Sequence, residues 1–140
     1  MMTNNFFVFD TNVLISALFD YTSTSAVAIT KARNIGKLLV SNEVATEYLS
    51  VFSRKKFDKW ISFENRINFI ENIIENSMYV NVTQHVFVCR DHKDNMFLSL
   101  AVSAQSDFIV SGDKDLLMLH PFNGIPIVSP VDFIKNTKNH

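Results

Sequence analysis

The sequence predicts an α/β fold in which a central parallel sheet of about five strands lies between two layers of helices. Apolar runs of three or four residues alternate with longer segments whose apolar residues recur every three or four positions. The runs are typical of strands buried on both faces, and the longer segments of amphipathic helices. Strands and helices that alternate in this order form a three-layer α/β/α sandwich.

The composition is that of one globular domain. The chain has 140 residues, of which 47% are hydrophobic and 19% charged, with three Gly, three Pro and one cysteine, Cys89. We see no linker or repeat, so we expect residues 1–140 to form a single domain. A formal net charge of −1 excludes an overall positive field, so a polyanionic partner needs a local basic patch. We predict no membrane span and no signal peptide, and the lone cysteine is typical of a cytoplasmic protein.

The elements of the amino-terminal half have recognisable starts and ends. Ser41 is a residue type that begins helices, and Gly36 is one that ends them. The predicted order is a strand at 6–9, a helix from residue 13, a polar loop at 21–25, a helix at 25–34, a strand at 38–40 and a helix after residue 41. A basic segment follows, with Arg54, Lys55, Lys56 and Lys59 interleaved with Phe57 and Trp60.

The carboxy-terminal half continues the alternation. We predict a helix at 62–76, a strand at 78–82, a helix at 94–104 and strands at 108–110 and 125–128. The helix at 62–76 is expected to face the core with Phe63, Ile67, Ile70 and Ile74. Ser129 followed by Pro130 predicts the start of a last helix.

Acidic residues lie where these elements place them near one edge of the sheet. Asp10 directly follows the first strand and Asp113 follows the strand at 108–110. The carboxyl ends of parallel strands form the edge where ligands bind. Glu47 lies one to two turns into the helix after the second strand, and Asp94 opens a later helix. Four carboxylates in one pocket repel each other unless a cation neutralises them, and Mg²⁺ or Mn²⁺ suits both these ligands and phosphodiester hydrolysis.

Each acid also has a purely structural explanation. Asp10 can simply end a strand, and Asp113 can be a turn residue. Asp91 and Asp94 have the spacing of a helix cap and its third residue. Glu47 alone reads as a solvated charge at a helix edge. The residues alone do not decide between these structural roles and a metal site.

Four segments together resemble the PIN-domain family, ribonucleases of the toxin–antitoxin type and their relatives. They lie at residues 8–17, 47–49, 90–98 and 111–117 and span nearly the whole chain. The most specific are the Arg-Asp-His-Lys-Asp-Asn run at 90–95 and the Ser-Gly-Asp-Lys-Asp-Leu run at 111–116. His92 departs from the family pattern, where Pro is common, and this changes loop stiffness more than chemistry.

The resemblance implies both a set of site residues and an activity. Its catalytic and metal-binding quartet consists of Asp10, Glu47, Asp94 and Asp113, which hold one or two Mg²⁺ or Mn²⁺ ions, with Asn12, Ser111, Asp91 and Asp115 in supporting roles. The implied reaction is hydrolysis of single-stranded RNA to 3′-hydroxyl and 5′-phosphate ends. The implied partners are RNA, an antitoxin protein and, in a homodimer, a second copy of the chain.

Other interpretations compete with this one. A non-catalytic PIN-like module would bind RNA or protein only. A metal-dependent phosphatase of the haloacid dehalogenase type needs a second Asp two residues after Asp10, where this chain has Asn12. A receiver domain needs paired acids near the amino terminus, and these are absent. The basic segment at 54–60 is either an RNA-facing patch or a solvated helix end with two core aromatics.

Overall fold

The computed structural model describes residues 5–137, and its centre is one sheet of five parallel strands. The strands are β1 (Phe6–Phe9), β2 (Lys37–Val40), β3 (Met78–Tyr79), β4 (Phe108–Val110) and β5 (Ile127–Val128). Their order across the sheet is β3-β2-β1-β4-β5, and all four neighbouring pairs are parallel. The predicted parallel sheet is confirmed, with the first strand of the chain at its centre.

Seven α-helices and one short 3₁₀ helix connect and cover the strands in the described part of the chain. The α-helices are α1 (Thr11–Phe19), α2 (Thr24–Ile35), α3 (Asn42–Phe52), α4 (Phe63–Glu75), α5 (His92–Ala104), α6 (Lys114–Leu117) and α7 (Pro130–Asn136), and the 3₁₀ helix is Lys55–Phe57. No single helix within residues 5–137 is long and apolar enough to span a membrane. Within the same residues, α1 and α2 meet the criterion of length and apolar composition only when they are taken together, and the pair is bent by 110°.

Helices cover both faces of the central strand. Phe7 and Phe9 point to one face, where both rings meet Phe133 of α7 edge-on at centroid distances of 5.1 and 5.9 Å. Val8 alternates to the other face and is fully buried there. The apolar run therefore packs on both sides, as expected of a strand inside an α/β/α sandwich.

The helix starts predicted at Ser41 and Ser129 are confirmed. The side-chain oxygen of each serine accepts a hydrogen bond from a backbone amide in the first turn, which has no partner within the helix. The Ser41 hydroxyl accepts from the Val44 amide, and the Ser129 hydroxyl accepts from the Asp132 amide. Gly36 ends α2 as predicted. The strands predicted at 78–82 and 125–128 are shorter, with two residues each, since both lie at the edges of the sheet.

The predicted core face of α4 is wrong at Phe63, which is 54% exposed, while Arg66 is fully buried. The buried side chains of this helix are Arg66, Ile70 and Ile73. The charge of Arg66 is satisfied by hydrogen bonds to three carbonyl oxygens and to the Asp58 carboxylate at 2.9 Å. A buried guanidinium is tolerated when its donors are paired in this way.

The predicted domain limits of 1–140 stay a prediction. Residues 1–4 and 138–140 lie outside the described residues.

Candidate metal centre

One open cavity at the carboxyl end of the central strands is lined by all four acids of the predicted quartet. Its volume is about 230 Å³, and Asp10, Glu47, Asp94 and Asp113 line it. Asp10 follows β1, Glu47 lies on α3, Asp94 lies in the first turn of α5, and Asp113 follows β4. Asn12 and Asp91, two of the predicted supporting residues, line the same cavity. The structure therefore brings together acids from four distant positions of the sequence.

Asp10 is held rigidly at the base of this cavity. It is 5% exposed, and its amide donates to the Val110 carbonyl at 3.0 Å across the β1–β4 pair. One carboxylate oxygen accepts from the Val13 amide at 3.2 Å, and the other accepts from the Ser111 hydroxyl. Burial raises the pKa of Asp10, and the bonds from Ser111 and the α1 amides partly oppose that rise.

Three carboxylates form the tightest acidic cluster in the described part of the chain. One carboxylate oxygen from each of Asp94, Asp113 and Asp115 lies within 4.8 Å of the others. Burial, and then the contact with Asp113, raises the pKa of Asp94 to about 7. Oxygens at this separation can share one cation with bonds of roughly 2.0 to 2.6 Å. Asp115 is thus closer to Asp94 and Asp113 than its predicted supporting role indicates.

A buried hydroxyl at the cavity also lacks a partner. Thr11 is 6% exposed and lines the cavity beside Asp10. Among the described residues, its Oγ1 is the one buried side-chain nitrogen or oxygen atom without a hydrogen-bond partner. A polar atom in that state suits a site that takes up water or another ligand. Carboxylate, amide and hydroxyl oxygens are together the donor set that fits Mg²⁺ or Mn²⁺.

The structural explanations for three acids hold alongside this convergence. Asp10, Asp91 and Asp113 cap α1, α5 and α6, with their carboxylates accepting amides of the first turn. Caps fix the carboxylates by short local bonds, so the same residues can serve helix ends and a shared pocket.

Cations lie close to the acids. Arg54 and Lys93 line the cavity, and Arg90 forms an exposed ion pair with Asp115 at 3.3 Å. The basic segment beyond Arg54 lies on the surface, and Trp60 is 62% exposed while Phe57 is half-buried. Of the two aromatics in the alternative interpretation, Trp60 is therefore not a core residue, whereas Phe57 is partly buried.

A family model described as PIN domain matches residues 7–115, which is more than half of the chain. The chain belongs to the PIN-domain family. The match includes all four acids of the quartet, as well as Asn12, Asp91, Ser111 and Asp115.

Individual relatives agree with this PIN assignment. An uncharacterized protein of Methanocaldococcus jannaschii, MJ1680, is 32% identical over 122 residues, which cover 83% of this chain and 76% of that protein. The structure of VapBC2 from Rickettsia felis, bound to a DNA fragment from their promoter, is similar with a TM-score of 0.63 and 10% identity, over 89% of this chain and 98% of that chain. The structure of DNA-bound VapBC from Salmonella typhimurium gives a TM-score of 0.59 with 14% identity, and the match covers 91% of this chain and 99% of that chain. At these identities the two solved structures show a shared fold.

Two features of this PIN domain were missed from the sequence. The Tyr48 hydroxyl, buried under the sheet edge, donates to the Phe9 carbonyl at 2.5 Å and ties α3 to the residue before Asp10. No pattern in the sequence indicated a partner for the Tyr48 hydroxyl. The unpaired Thr11 hydroxyl was equally unseen, because only the fold shows that it is buried.

Proposed function

We propose that this PIN domain is a divalent-metal-dependent endoribonuclease that hydrolyses phosphodiester bonds of single-stranded RNA. The observation that carries the proposal is the convergence of Asp10, Glu47, Asp94 and Asp113 on one cavity. Burial, and then the contact with Asp113, raises the pKa of Asp94 to about 7, so the charged state of this carboxylate is disfavoured in the absence of a cation. Such a cluster is typical of catalytic and cation-binding sites.

The residues that would hold the cation are the quartet acids, with Asp115 beside Asp94 and Asp113. When bound, Mg²⁺ or Mn²⁺ supplies charge that polarises a phosphoryl oxygen and makes water more acidic. Ser111 and the Val13 amide keep the Asp10 carboxylate in one orientation. Asn12 and Thr11 offer hydrogen bonds to water or to a phosphate oxygen at the cavity wall. Arg54 and Lys93 supply positive charge for the RNA backbone.

We also propose that the nuclease is the toxin of a toxin–antitoxin pair. Support comes from the sequence resemblance and from the fold shared with VapBC complexes over about nine tenths of the chain. In this proposal an antitoxin protein binds the chain, the chain forms a homodimer, and both act in the cytoplasm.

The test is cleavage of a mixed-sequence single-stranded RNA by the purified protein in Mg²⁺, in Mn²⁺ and in chelator. We expect cleavage in either metal and none in chelator, with 5′-phosphate ends on the products. Asp10→Asn and Asp94→Asn should each lower the rate at least a hundredfold. Asp132→Asn, which changes an acid in the first turn of α7, is the matched control and should leave the rate unchanged.

Three results would contradict the proposal in different ways. A folded protein that binds neither metal nor RNA has no nuclease site. Metal and RNA binding without cleavage of any RNA would indicate the non-catalytic module. Release of phosphate from a small phosphomonoester, lost in Asp10→Asn, with no RNA cleavage, would indicate the phosphatase.

A further inference from the structure

We propose that a second surface binds the RNA strand outside the acidic cavity and that Trp60 is its base-stacking element. This surface, here called the platform, consists of Lys55, Lys56, Phe57, Lys59 and Trp60. The inference rests on the proposed function, because it takes the RNA of the acidic cavity as its ligand.

The platform combines one exposed and one half-buried aromatic ring with ammonium groups. Trp60 is 62% exposed, and the Lys59 ammonium lies 4.7 Å from the centre of its ring. The Lys56 ammonium lies 5.2 Å from the centre of the Phe57 ring. Surfaces that bind single strands without strong sequence preference use this pairing, since bases stack on aromatic rings and phosphates meet cations.

The outward charge of the platform is strongly positive even though the chain has a net charge of −1. Residues 54–60 contain four basic side chains and one acid, Asp58. The Asp58 carboxylate is engaged by the buried Arg66 guanidinium at 2.9 Å. Arg66 therefore neutralises the negative charge of Asp58 from the buried side. The positive charges of the exposed lysines remain available to bind a polyanion.

The platform is also held in place by the protein interior. Arg66 donates to the carbonyl oxygens of Phe52, Arg54 and Ile61, which fixes both ends of the segment. Phe19, at the end of α1, packs against both rings, with ring centres 5.3 Å from Phe57 and 6.1 Å from Trp60. A surface ordered before binding loses less entropy when the ligand arrives.

The platform is continuous with the acidic cavity. Arg54 lines the cavity and begins the segment that carries the platform. α1 starts at Thr11 in the cavity wall and ends at Phe19, which contacts the platform rings, a span of about 12 Å at roughly 1.5 Å per residue. That distance equals about three to four nucleotides of a stacked strand at roughly 3.4 Å each. One short RNA can therefore occupy both sites.

The experiment uses Trp60, the single tryptophan of the chain, as the reporter. Its fluorescence is followed while single-stranded RNA oligonucleotides of two and eight nucleotides are added in chelator, where no cleavage occurs. We expect saturable quenching with the eight-nucleotide RNA and at least tenfold weaker binding of the dinucleotide. Binding should weaken with salt, since phosphate contacts release counterions.

Variants then locate the contacts, with binding followed by anisotropy of an end-labelled eight-nucleotide RNA. Trp60→Ala should weaken binding between about five- and a hundredfold, and Trp60→Phe should restore most of it. Lys56→Ala and Lys59→Ala should each reduce the slope of log affinity against log salt by about 0.7. Lys37→Ala, which removes an exposed lysine at the opposite end of β2, is the matched control and should change neither quantity.

The outcomes separate this inference from the proposed function. Wild-type affinity and salt slope in the folded Trp60→Ala and lysine variants would overturn the platform, and metal-dependent cleavage would then still stand. Quenching and variant effects without any cleavage would keep the platform and remove the nuclease. Loss of self-association in Trp60→Ala, with RNA affinity intact, would overturn the platform in favour of a protein interface.

Discussion

The Ser111 hydroxyl donates a hydrogen bond to the Asp10 carboxylate between the ends of two neighbouring strands, β4 and β1. The same hydroxyl accepts the Asp113 amide at 2.9 Å. Ser111 thus connects two acids of the quartet that are far apart in sequence, and it is itself fully buried.

Replacing this serine should impair the site more than the fold. In Ser111→Ala, Asp10 loses a donor that lowers its pKa, so metal affinity and RNA cleavage should each fall about tenfold or more. The free energy of unfolding should fall by about 1 to 2 kcal/mol. Ser106→Ala is the matched control, because this buried serine bonds the Phe108 carbonyl away from the cavity. A similar loss of cleavage in both variants would contradict the specific role of Ser111.

Asp94 should make the metal-free protein less stable as the pH rises. Its pKa is about 7 in the folded state against an ordinary value of 3.8, so between these values the folded state binds more protons than the unfolded state. The free energy of unfolding therefore falls as pH rises through this window and levels off above it. Asp94→Asn has no proton to lose, so its free energy of unfolding should not show this fall. At pH 8 the variant should be more stable than wild type by an amount of order 1 kcal/mol. The difference is small because water screens the half-exposed side chain.

Thermal unfolding in chelator at pH 4, 6 and 8 measures this difference. We expect the melting temperature of Asp94→Asn to exceed that of wild type by an amount that grows from pH 4 to pH 8. If the difference between the two melting temperatures is the same at all three pH values, the raised pKa of Asp94 is contradicted.

Metal affinity should depend on pH in the opposite direction. A cation needs the Asp94 carboxylate without its proton, and burial together with Asp113 holds its pKa near 7. Titration calorimetry with Mn²⁺ should show affinity rising about tenfold per pH unit between pH 5 and 6.5, then levelling above pH 7.5. A flat profile over this range would show that Asp94 does not have to lose a proton for metal to bind.

The hydroxyl of Tyr48 should matter for stability. Tyr48→Phe removes the donor to the Phe9 carbonyl at the end of β1, and the loss should be about 1 to 2 kcal/mol. For a chain of this size that corresponds to a fall of roughly 3 to 6 °C in melting temperature. Tyr21→Phe, at a side chain that is 86% exposed, is the control and should not change the melting temperature.

Arg66 should be among the most sensitive positions outside the cavity. Arg66→Met leaves three carbonyl oxygens and Asp58 without their shared donor, so we expect a loss of more than about 2 kcal/mol. Chemical denaturation measures the change. Arg33→Met, which removes one exposed hydrogen bond to Asn72, should cost less than about 0.5 kcal/mol. Equal costs for the two variants would contradict the anchoring role of Arg66.

The sequence predicted the sheet and the four acids because both depend on local patterns. Strands such as β1 and β4 are short apolar runs. Asp10, directly after β1, and Asp113, three residues after the end of β4, each cap the next helix. Parallel topology then determines that Asp10 and Asp113 share an edge. Glu47 and Asp94 were also candidates from their positions, but the order of strands does not fix their convergence, which depends on how α3 and α5 pack.

Arg66 and Phe63 show where sequence patterns fail. The pattern of α4 assigned Phe63 to the core and made no assignment for Arg66, whereas Phe63 is exposed and Arg66 is fully buried. The burial of Arg66 depends on carbonyl acceptors outside the helix, supplied by Phe52, Arg54 and Ile61, which periodicity cannot reveal. The same limit applies to Asp115, whose closeness to Asp94 depends on where the fold places α5 and α6.

The central position of β1 has a consequence for synthesis in the cell. β1 is flanked by β2 on one side and by β4, residues 108–110, on the other. Asp113 completes the quartet only after β4 has been made. A nascent chain therefore carries no assembled acidic site until residues 108–113 have been made and β4 has paired with β1.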